Sequence, residues 1–398
     1  MKVLLLNAGS SSLKATLAES GTGVTLAQGR ADWAGSATTY EYGRSQQDKP
    51  RRETVAWKGH AEAVKRFLSD LTRSQPVALA DRTSLAAVGH RVVHGGEFTS
   101  SIRVTPDVRS RISALAELAP LHNPPSLEAL AAAETALPGV PQVAVFDTAF
   151  HSTLPPEART YPVPASWTRD WQIRRYGFHG LSHAYCSRRA AEMLSRDADQ
   201  PRLVICHLGH GCSASAVRGG RCIDTTMGFT PLEGLMMATR SGSIDPSIVL
   251  HVQQQHGLTP AAVETALNHQ SGLLGVSEVS ADMREVLAAA REAHAPSQLA
   301  LQIYCRRVRQ AIGALAVTLG GIDALVFTAG VGERAHEIRE SICAGLECLG
   351  LELDEGANAR CTPDADIARR TSAGRILVIA TREDLVMLEE VERVLSLN

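Results

Sequence analysis

The feature that most constrains this chain is a pattern that occurs twice. An apolar strand, Leu203 to Cys206, breaks into His207, Gly209, His210, Gly211, Cys212 and Ser213, returns as Ala214 to Val217 and turns again at Gly219 and Gly220. At the N-terminus Val3 to Leu6 runs into Asn7, Gly9, Ser10, Ser11 and Ser12, returns as Leu13 to Leu17 and turns near Gly21 to Gly23. Setting Gly9 over Gly211 aligns strand, small-residue turn and returning strand, although few side chains are identical. A turn of small residues lets backbone N–H groups come close to a phosphate. Two such hairpins predict a duplicated α/β domain with a polyphosphate between the halves.

A chain of 398 residues is long enough for two or three domains. Its formal net charge of −2 gives no reason to expect nucleic acid or an anionic membrane as a partner, so any cationic chemistry must be local. The start, MKVLLLNAGSSS, has an apolar run too short for a signal peptide. No stretch approaches the ~18 apolar residues of a membrane span, and a cytoplasmic protein is expected. Eight cysteines without a C-x-x-C pair favour reduced, mostly buried thiols over disulfides or a zinc knuckle.

Along the chain, His60 to Leu71 carries apolar residues at helical spacing, and the apolar Leu85 to Val88 leads into GHRVVHGGE, where Arg91 alternates with Val92 and Val93 and falls at or near a strand end beside Gly95 and Gly96. Ile112 to Leu118 reads as helical, and Pro124, Pro125 and Ser126 cap a helix through Ala136. The strand Gln142 to Phe146 ends at Asp147, and carboxyl ends of strands in open α/β sheets are where ligands bind. The Pro-rich segment Leu154 to Pro164 is the expected domain boundary. In RRYGFHGLSH, His179 and His183 could share a helical face as metal ligands, but no third ligand lies near in a recognisable pattern. A histidine donating to an anionic reacting group fits the pair better than a metal site, and a packed structural role stays open for His183. Arg240, in the turn-rich ATRSGSIDP, again suits an anion.

After the strand Ala324 to Thr328, Gly330, Gly332 and Ala335 fit G-x-G-x-x-A, which raises a nicotinamide dehydrogenase. The fingerprint falls late, however, and leaves both hairpins unexplained. A strand, glycine turn and helix also cradle the adenosine or phosphates of ATP. There is no Gly-Lys dipeptide, hence no Walker A motif, and no G-x-S-x-G elbow. Two isolated arginines, a strand-end carboxylate, a histidine and glycine turns are what phosphoryl transfer asks for: positioning, and positive charge on the oxygens of a metaphosphate-like transition state.

NAGSSSLK, GHRVVHGGE, APLHNPP, FDTAFH, RRYGFHGLSH, HLGHGCS, DTTMGFTPLEGLMMATRSGSIDP, FTAGVGE and TRED follow one another along essentially the whole chain. In these motifs the chain resembles the acetate kinases, the acetokinase family of the actin-like ATPase superfamily. The resemblance implies two duplicated actin-like (ribonuclease H-like) domains with a nucleotide cleft between them, residues 1–150 with 385–398 and residues 151–384, in a homodimer. It implies Mg²⁺- or Mn²⁺-dependent transfer of phosphoryl from ATP to acetate, giving acetyl phosphate and ADP. By matching positions, Arg91 and Arg240 would stabilise the transferring group, His179 would hydrogen-bond to it, and Asp147 would orient the arginine or metal side. Asn7 and Glu383 would hold the metal. Val93, Leu121, Phe178 and Pro231 would form the acyl pocket. Ser12, Lys14, His207, Gly209, His210 and Gly211 would lie along the phosphates, with Asp282, Met283, Arg284, Gly330, Val331 and Gly332 around the adenosine. The family usually has Asn at His210, Ser or Ala at Cys212, and Gly at Ala238. Val93 favours acetate, whereas relatives preferring propionate tend to be smaller there. A propionate or other short-chain carboxylate kinase, a pyrophosphate-using relative and a catalytically weak nucleotide-binding protein are the alternatives.

Overall fold

A computed structural model describes residues 1–44, 49–74, 77–119, 122–197 and 201–396. The chain forms two compact units, Met1–Ala149 with Arg382–Asn398 and Phe150–Thr381. The Pro-rich segment Leu154 to Pro164 lies inside the second unit, and the chain crosses between units just before it.

In the first unit β1 (Lys2–Gly9) pairs antiparallel with β2 (Ser12–Glu19), followed outward by β3 (Thr25–Asp32), β4 (Thr38–Gly43) and β5 (Arg51–Val55). On its other side β1 runs parallel to β6 (Leu85–Val92), which is parallel to β8 (Gln142–Phe146); the short β7 (Ile102–Arg103) closes that edge. Val3 to Leu6 is buried on both faces, which explains why β1 reads as a continuous apolar run with no alternation. Leu4, Leu6, Leu13 and Leu17 share a core with Val64, Phe67, Leu68 and Leu71 of the helix His60–Arg73. That helix comes so close to β3 that a Cβ on Gly29 would sit 2.4 Å from the Phe67 ring.

The second unit repeats the design. β9 (Arg202–Leu208) pairs antiparallel with β10 (Cys212–Arg218), which pairs antiparallel with β11 (Arg221–Thr225). On the other side β9 is parallel to β12 (Ala324–Thr328) and β12 to β14 (Arg375–Val378), with β13 (Ala365–Asp366) at the edge. The sheet orders β3-β2-β1-β6-β8 and β11-β10-β9-β12-β14 are therefore the same arrangement, the ribonuclease H-like order of a duplicated actin-like fold. The equivalence lies in backbone register, which is why so few side chains match.

Several local expectations shift. The helix expected over Ile112 to Leu118 begins at Pro106, where Thr105 caps it by accepting from the Val108 N–H, and its last turn tightens to a 3₁₀ form at Leu115–Glu117. Ser126 does not cap the next helix, which starts at Asn123; its hydroxyl donates back to the His122 carbonyl at 3.1 Å. Pro124 and Pro125 occupy the first turn, where a missing N–H costs nothing. After β12 no glycine loop intervenes: the helix Ala329–Arg334 starts at once, with Ala329 at φ +65°. The last helix begins at Glu383, so Glu383 sits in its first turn.

Candidate functional site

In the first unit the parallel register sets Leu6 beside His90 and Arg91 beside Val145, so Asn7, Arg91 and Asp147 are neighbours near the carboxyl ends of β1, β6 and β8. Asp147 is 1 % exposed and binds Arg91 as a fork: Nε donates to Oδ1 at 3.0 Å and Nη2 to Oδ2 at 2.6 Å. Arg91 Nη1 donates to Asn7 Oδ1 at 3.3 Å and lies 3.5 Å from Glu383 Oε2. Burial alone would lower the Arg91 pKa, but Asp147 and Glu383 more than reverse it, so the guanidinium stays charged. For Asp147, burial raises the carboxyl while the Arg91 charge and hydrogen bonds oppose it, and the pair is held as ions. Asp147 thus fixes the direction in which Arg91 presents its remaining N–H groups. Val93 follows β6 and is buried. Lys14 lies across from Asn7 on β2 and is exposed; Ser12 faces Gly9 in the hairpin register. Leu121 lies outside the described residues.

In the second unit two ionisable side chains converge on the hairpin turn Gly209 to Gly211. A Cβ on Gly211 would lie 3.3 Å from His179 Cε1 and Nε2 and 3.6 Å from Arg240 Nη2, so the imidazole edge and the guanidinium converge on this glycine. Arg240 is half-buried; its Nη1 donates to the Pro231 carbonyl at 2.7 Å, and burial pulls its pKa below the usual value. No carboxylate among the described residues pairs with it. A desolvated cation without a counter-charge is costly by itself and is relieved by an anionic ligand.

His179 is held from several sides. It occupies the residue before the helix Gly180–Met193 at φ +57°, a left-handed conformation that a non-glycine residue keeps only when its surroundings enforce it. Its Nδ1 is 2.9 Å from Ser213 Oγ, and its ring stacks on His207 at 4.1 Å. His207 in turn bonds Ser182 through Nδ1 at 2.8 Å. His183, in the first turn of the same helix, meets the same Ser213 hydroxyl through Nε2 at 2.8 Å. The two histidines therefore converge on a serine, and no cluster of three or more His, Cys, Asp or Glu suited to a metal occurs among the described residues. Phe178 is buried, and its carbonyl accepts from His151 Nε2 at 2.8 Å.

A cleft of about 730 Å³ in the second unit is lined by Gly209 and His210 at one end and by Asp282, Met283, Gly330 and Val331 among others. It brings together most residues expected around a nucleotide, in a volume usual for small-molecule sites. Arg284 also lines it and forks onto Asp282, which caps the helix Met283–Arg291. Gly332 sits behind it, packed on the Phe327 backbone, where a Cβ would be 3.4 Å from the Phe327 carbonyl carbon. Ala238 is buried; its N–H donates to the His210 carbonyl at 3.1 Å and so helps fix the turn. Cys212 is a buried thiol between the Gly209 carbonyl and the Tyr304 hydroxyl, and burial pushes its pKa up to about 11.

Some supporting residues carry no sequence signal. Glu333 Oε1 accepts from the Ala329 N–H at 3.0 Å and the Thr381 N–H at 3.1 Å, tying the ends of β12 and β14. Arg175 donates to the carbonyls of Thr225, Thr226 and Met227 and to Glu233 at 2.8 Å, while the Tyr161 hydroxyl donates to the other Glu233 oxygen. This clamp fixes the loop that ends at Pro231. Only the presence of Arg175 and Glu233 in the motifs could have flagged it.

The family model described as the acetokinase family matches residues 2–389. A relative from Gloeobacter violaceus named acetate kinase is 48% identical over 399 residues, covering 98% of each chain. Among solved structures, an acetate kinase from Porphyromonas gingivalis superposes with a TM-score of 0.91 at 38% identity, covering 99% of both chains. A propionate kinase from Francisella tularensis superposes with a TM-score of 0.90 at 37% identity, covering 98% of both. A match that runs unbroken through both repeated sheets leaves one conclusion: the chain belongs to the acetokinase family.

Proposed function

We propose that this protein transfers the γ-phosphoryl group of ATP reversibly to acetate, giving acetyl phosphate and ADP. The observation that carries the reading is the Arg240 guanidinium, half-buried, with no carboxylate partner among the described residues and sharing Gly211 with the His179 ring edge, next to a cleft of nucleotide size. A site built in this way receives an anion and stabilises charge that shifts onto phosphoryl oxygens. In the reaction a carboxylate oxygen of acetate attacks the γ-phosphorus in line. The bond to the β–γ bridging oxygen breaks, and its electron pair leaves with ADP. A carboxylate is already ionised near neutral pH, so no general base is needed, and Asp147 is free to serve as the fixed counter-ion of Arg91.

Asn7 Oδ1 and Glu383 Oε2 both lie against the Arg91 Nη1 group, a pair of oxygens that suits Mg²⁺ held by a few protein oxygens together with phosphates and water. The metal would supply charge neutralisation at the β- and γ-phosphates. In this reading Val93, Phe178 and Pro231 each keep the acyl-contacting role that the resemblance implies for them. Ser12, Lys14, His207, Gly209, His210 and Gly211 serve the phosphates, and Asp282, Met283, Arg284, Gly330, Val331 and Gly332 serve the adenosine. The two compact units act as the two domains of a cytoplasmic homodimer. Among the described residues no helix is long and apolar enough to cross a membrane.

Propionate is the second substrate to test, because a neighbour at 37% identity is a propionate kinase. One methylene is worth about 1 to 3 kcal/mol of discrimination, so propionate should react more slowly without being excluded. Hydroxylamine trapping of acyl phosphate, with ATP, Mg²⁺ and either acid, tests the reading directly. Hydroxamate from acetate at the higher rate supports it; none from acetate, propionate or butyrate overturns it.

A further inference from the structure

We infer that Ser213 and His183 form a one-way hydrogen-bond relay that fixes His179 as the neutral tautomer carrying its proton on Nε2, the nitrogen that faces Gly211 and Arg240. The inference rests on the proposed role of His179 as a donor to the transferring phosphoryl group. Ser213 Oγ is fully buried and lies between two ring nitrogens, His183 Nε2 at 2.8 Å and His179 Nδ1 at 2.9 Å. A hydroxyl has one proton to give, and among the described residues this buried one meets no hydrogen-bond partner besides the two rings, so it donates to one ring and accepts from the other. The direction is decided at His183, a residue 0 % exposed whose Nδ1 has no hydrogen-bond partner among the described residues. Burial, with His151 and His207 nearby, keeps this ring neutral. A proton on Nδ1 would be an orphaned buried donor, which proteins avoid more strictly than an under-used acceptor. The His183 proton therefore sits on Nε2 and is donated to Ser213.

Ser213 then gives its own proton to His179 Nδ1, and the only ring proton left to neutral His179 is on Nε2. That ring cannot turn over to undo the assignment, because it is stacked on His207 and its backbone is held at φ +57°. The relay does not touch the reacting atoms. Its members are positioning residues that present a hydrogen-bond donor, in place of a lone pair, to an anionic group beside Arg240. A lone pair there would repel the same oxygens that Arg240 attracts.

The test combines ring-nitrogen NMR with kinetics on the full-length protein. With ¹⁵N-histidine labelling, and His179 assigned by difference from His179→Gln, long-range proton–nitrogen correlation should show Nε2 protonated and Nδ1 bare in the wild type. Ser213→Ala should mix or reverse the His179 tautomers and lower kcat about tenfold or more, with KM for ATP and acetate within about twofold. His183→Leu should act in the same way, and His183→Gln, which keeps an N–H where Nε2–H stood, should recover most of the lost turnover. A wild-type spectrum with His179 protonated on Nδ1, or full kcat in Ser213→Ala, overturns the relay. Full kcat in His179→Ala, which has no side-chain donor, instead removes the donor role beneath it, and the wild-type spectrum still reads the tautomer independently.

Discussion

Gly211→Ala is the sharpest probe of the site, because its effect can be worked from distances. Gly211 has no left-handed backbone requirement, so alanine meets no conformational penalty there, and what the new methyl group meets is the His179 ring at 3.3 Å and Arg240 Nη2 at 3.6 Å. The Arg240 distance is an ordinary contact; the ring distance is tight by a few tenths of an ångström. Something must yield, and the ring has little freedom to do so, being bonded to Ser213, stacked on His207 and fixed at its backbone. The strain is shared between a displaced ring and a displaced turn, costing about 1 kcal/mol of stability, at the low end for overpacking. Catalysis should suffer more. A misplacement near 1 Å can cost about a hundredfold, so a few tenths should cost about threefold to tenfold in kcat. The assay is steady-state ADP formation with ATP and acetate varied in turn, alongside denaturant unfolding. An alanine variant with wild-type kcat and unchanged stability would refute the placement of His179 and Arg240 around this glycine.

Other substitutions separate the parts of the molecule. Asp147→Ala leaves the Arg91 cation without its main partner at a buried position; it should cost about 3 kcal/mol in urea unfolding and at least a hundredfold in kcat/KM. His210→Asn should change KM for ATP and leave KM for acetate unchanged, because His210 lines the nucleotide-sized cleft; coupled ADP detection with each substrate varied in turn checks this. Burial holds His90 and His151 down at about 4, so both are neutral when folded and take up protons on unfolding. Their contribution is complete above about pH 6.5 and is lost as pH falls toward 4, at about 1.4 kcal/mol per pH unit for each histidine, readable as a falling urea midpoint between pH 7 and pH 4.5. A midpoint that rises over that range would contradict the neutral, buried assignment.

How much of this was legible in the sequence depends on what kind of information each residue carries. β8 and β12 run over the stretches expected from their apolar pattern, because a strand buried on both faces writes itself as an uninterrupted run. The start of the helix Pro106–Ala114 was not legible, since its first turn, Pro-Asp-Val-Arg, buries one side chain and shows no period. Arg91 and Asp147 could each be placed at a strand end, but their pairing is a matter of sheet register, and β6 and β8 are separated by the 49 residues 93–141. Ser213 stood in plain view inside the hairpin turn. Nothing in its spacing says that it would bridge His179 and His183, because that bridge depends on the left-handed backbone at His179, which turns the ring back toward β10.

The duplicated topology also explains a division of labour that the motifs alone leave obscure. At the carboxyl ends of β1, β6 and β8 the first unit places Asn7, Arg91 and Asp147, a polar side chain and an ion pair. At the equivalent ends of β9, β12 and β14 the second unit places the Gly209 to Gly211 turn, Ala329 with Gly330, and the backbone of Thr381 tied down by Glu333. One copy of the design presents side-chain charge, and the other presents small residues and backbone. A bulky adenosine and a chain of phosphates need close approach over a broad surface, which side chains at strand ends would block. A single transferring group needs fixed charge at one point, which backbone N–H groups deliver less strongly than an arginine held by a carboxylate. Each need excludes the residues that serve the other. Arg240 is the exception, a cation set against the glycine turn of the second copy, and it stands where it does because its Nη1 is fastened to the Pro231 carbonyl and its Nη2 passes beside the missing Cβ of Gly211.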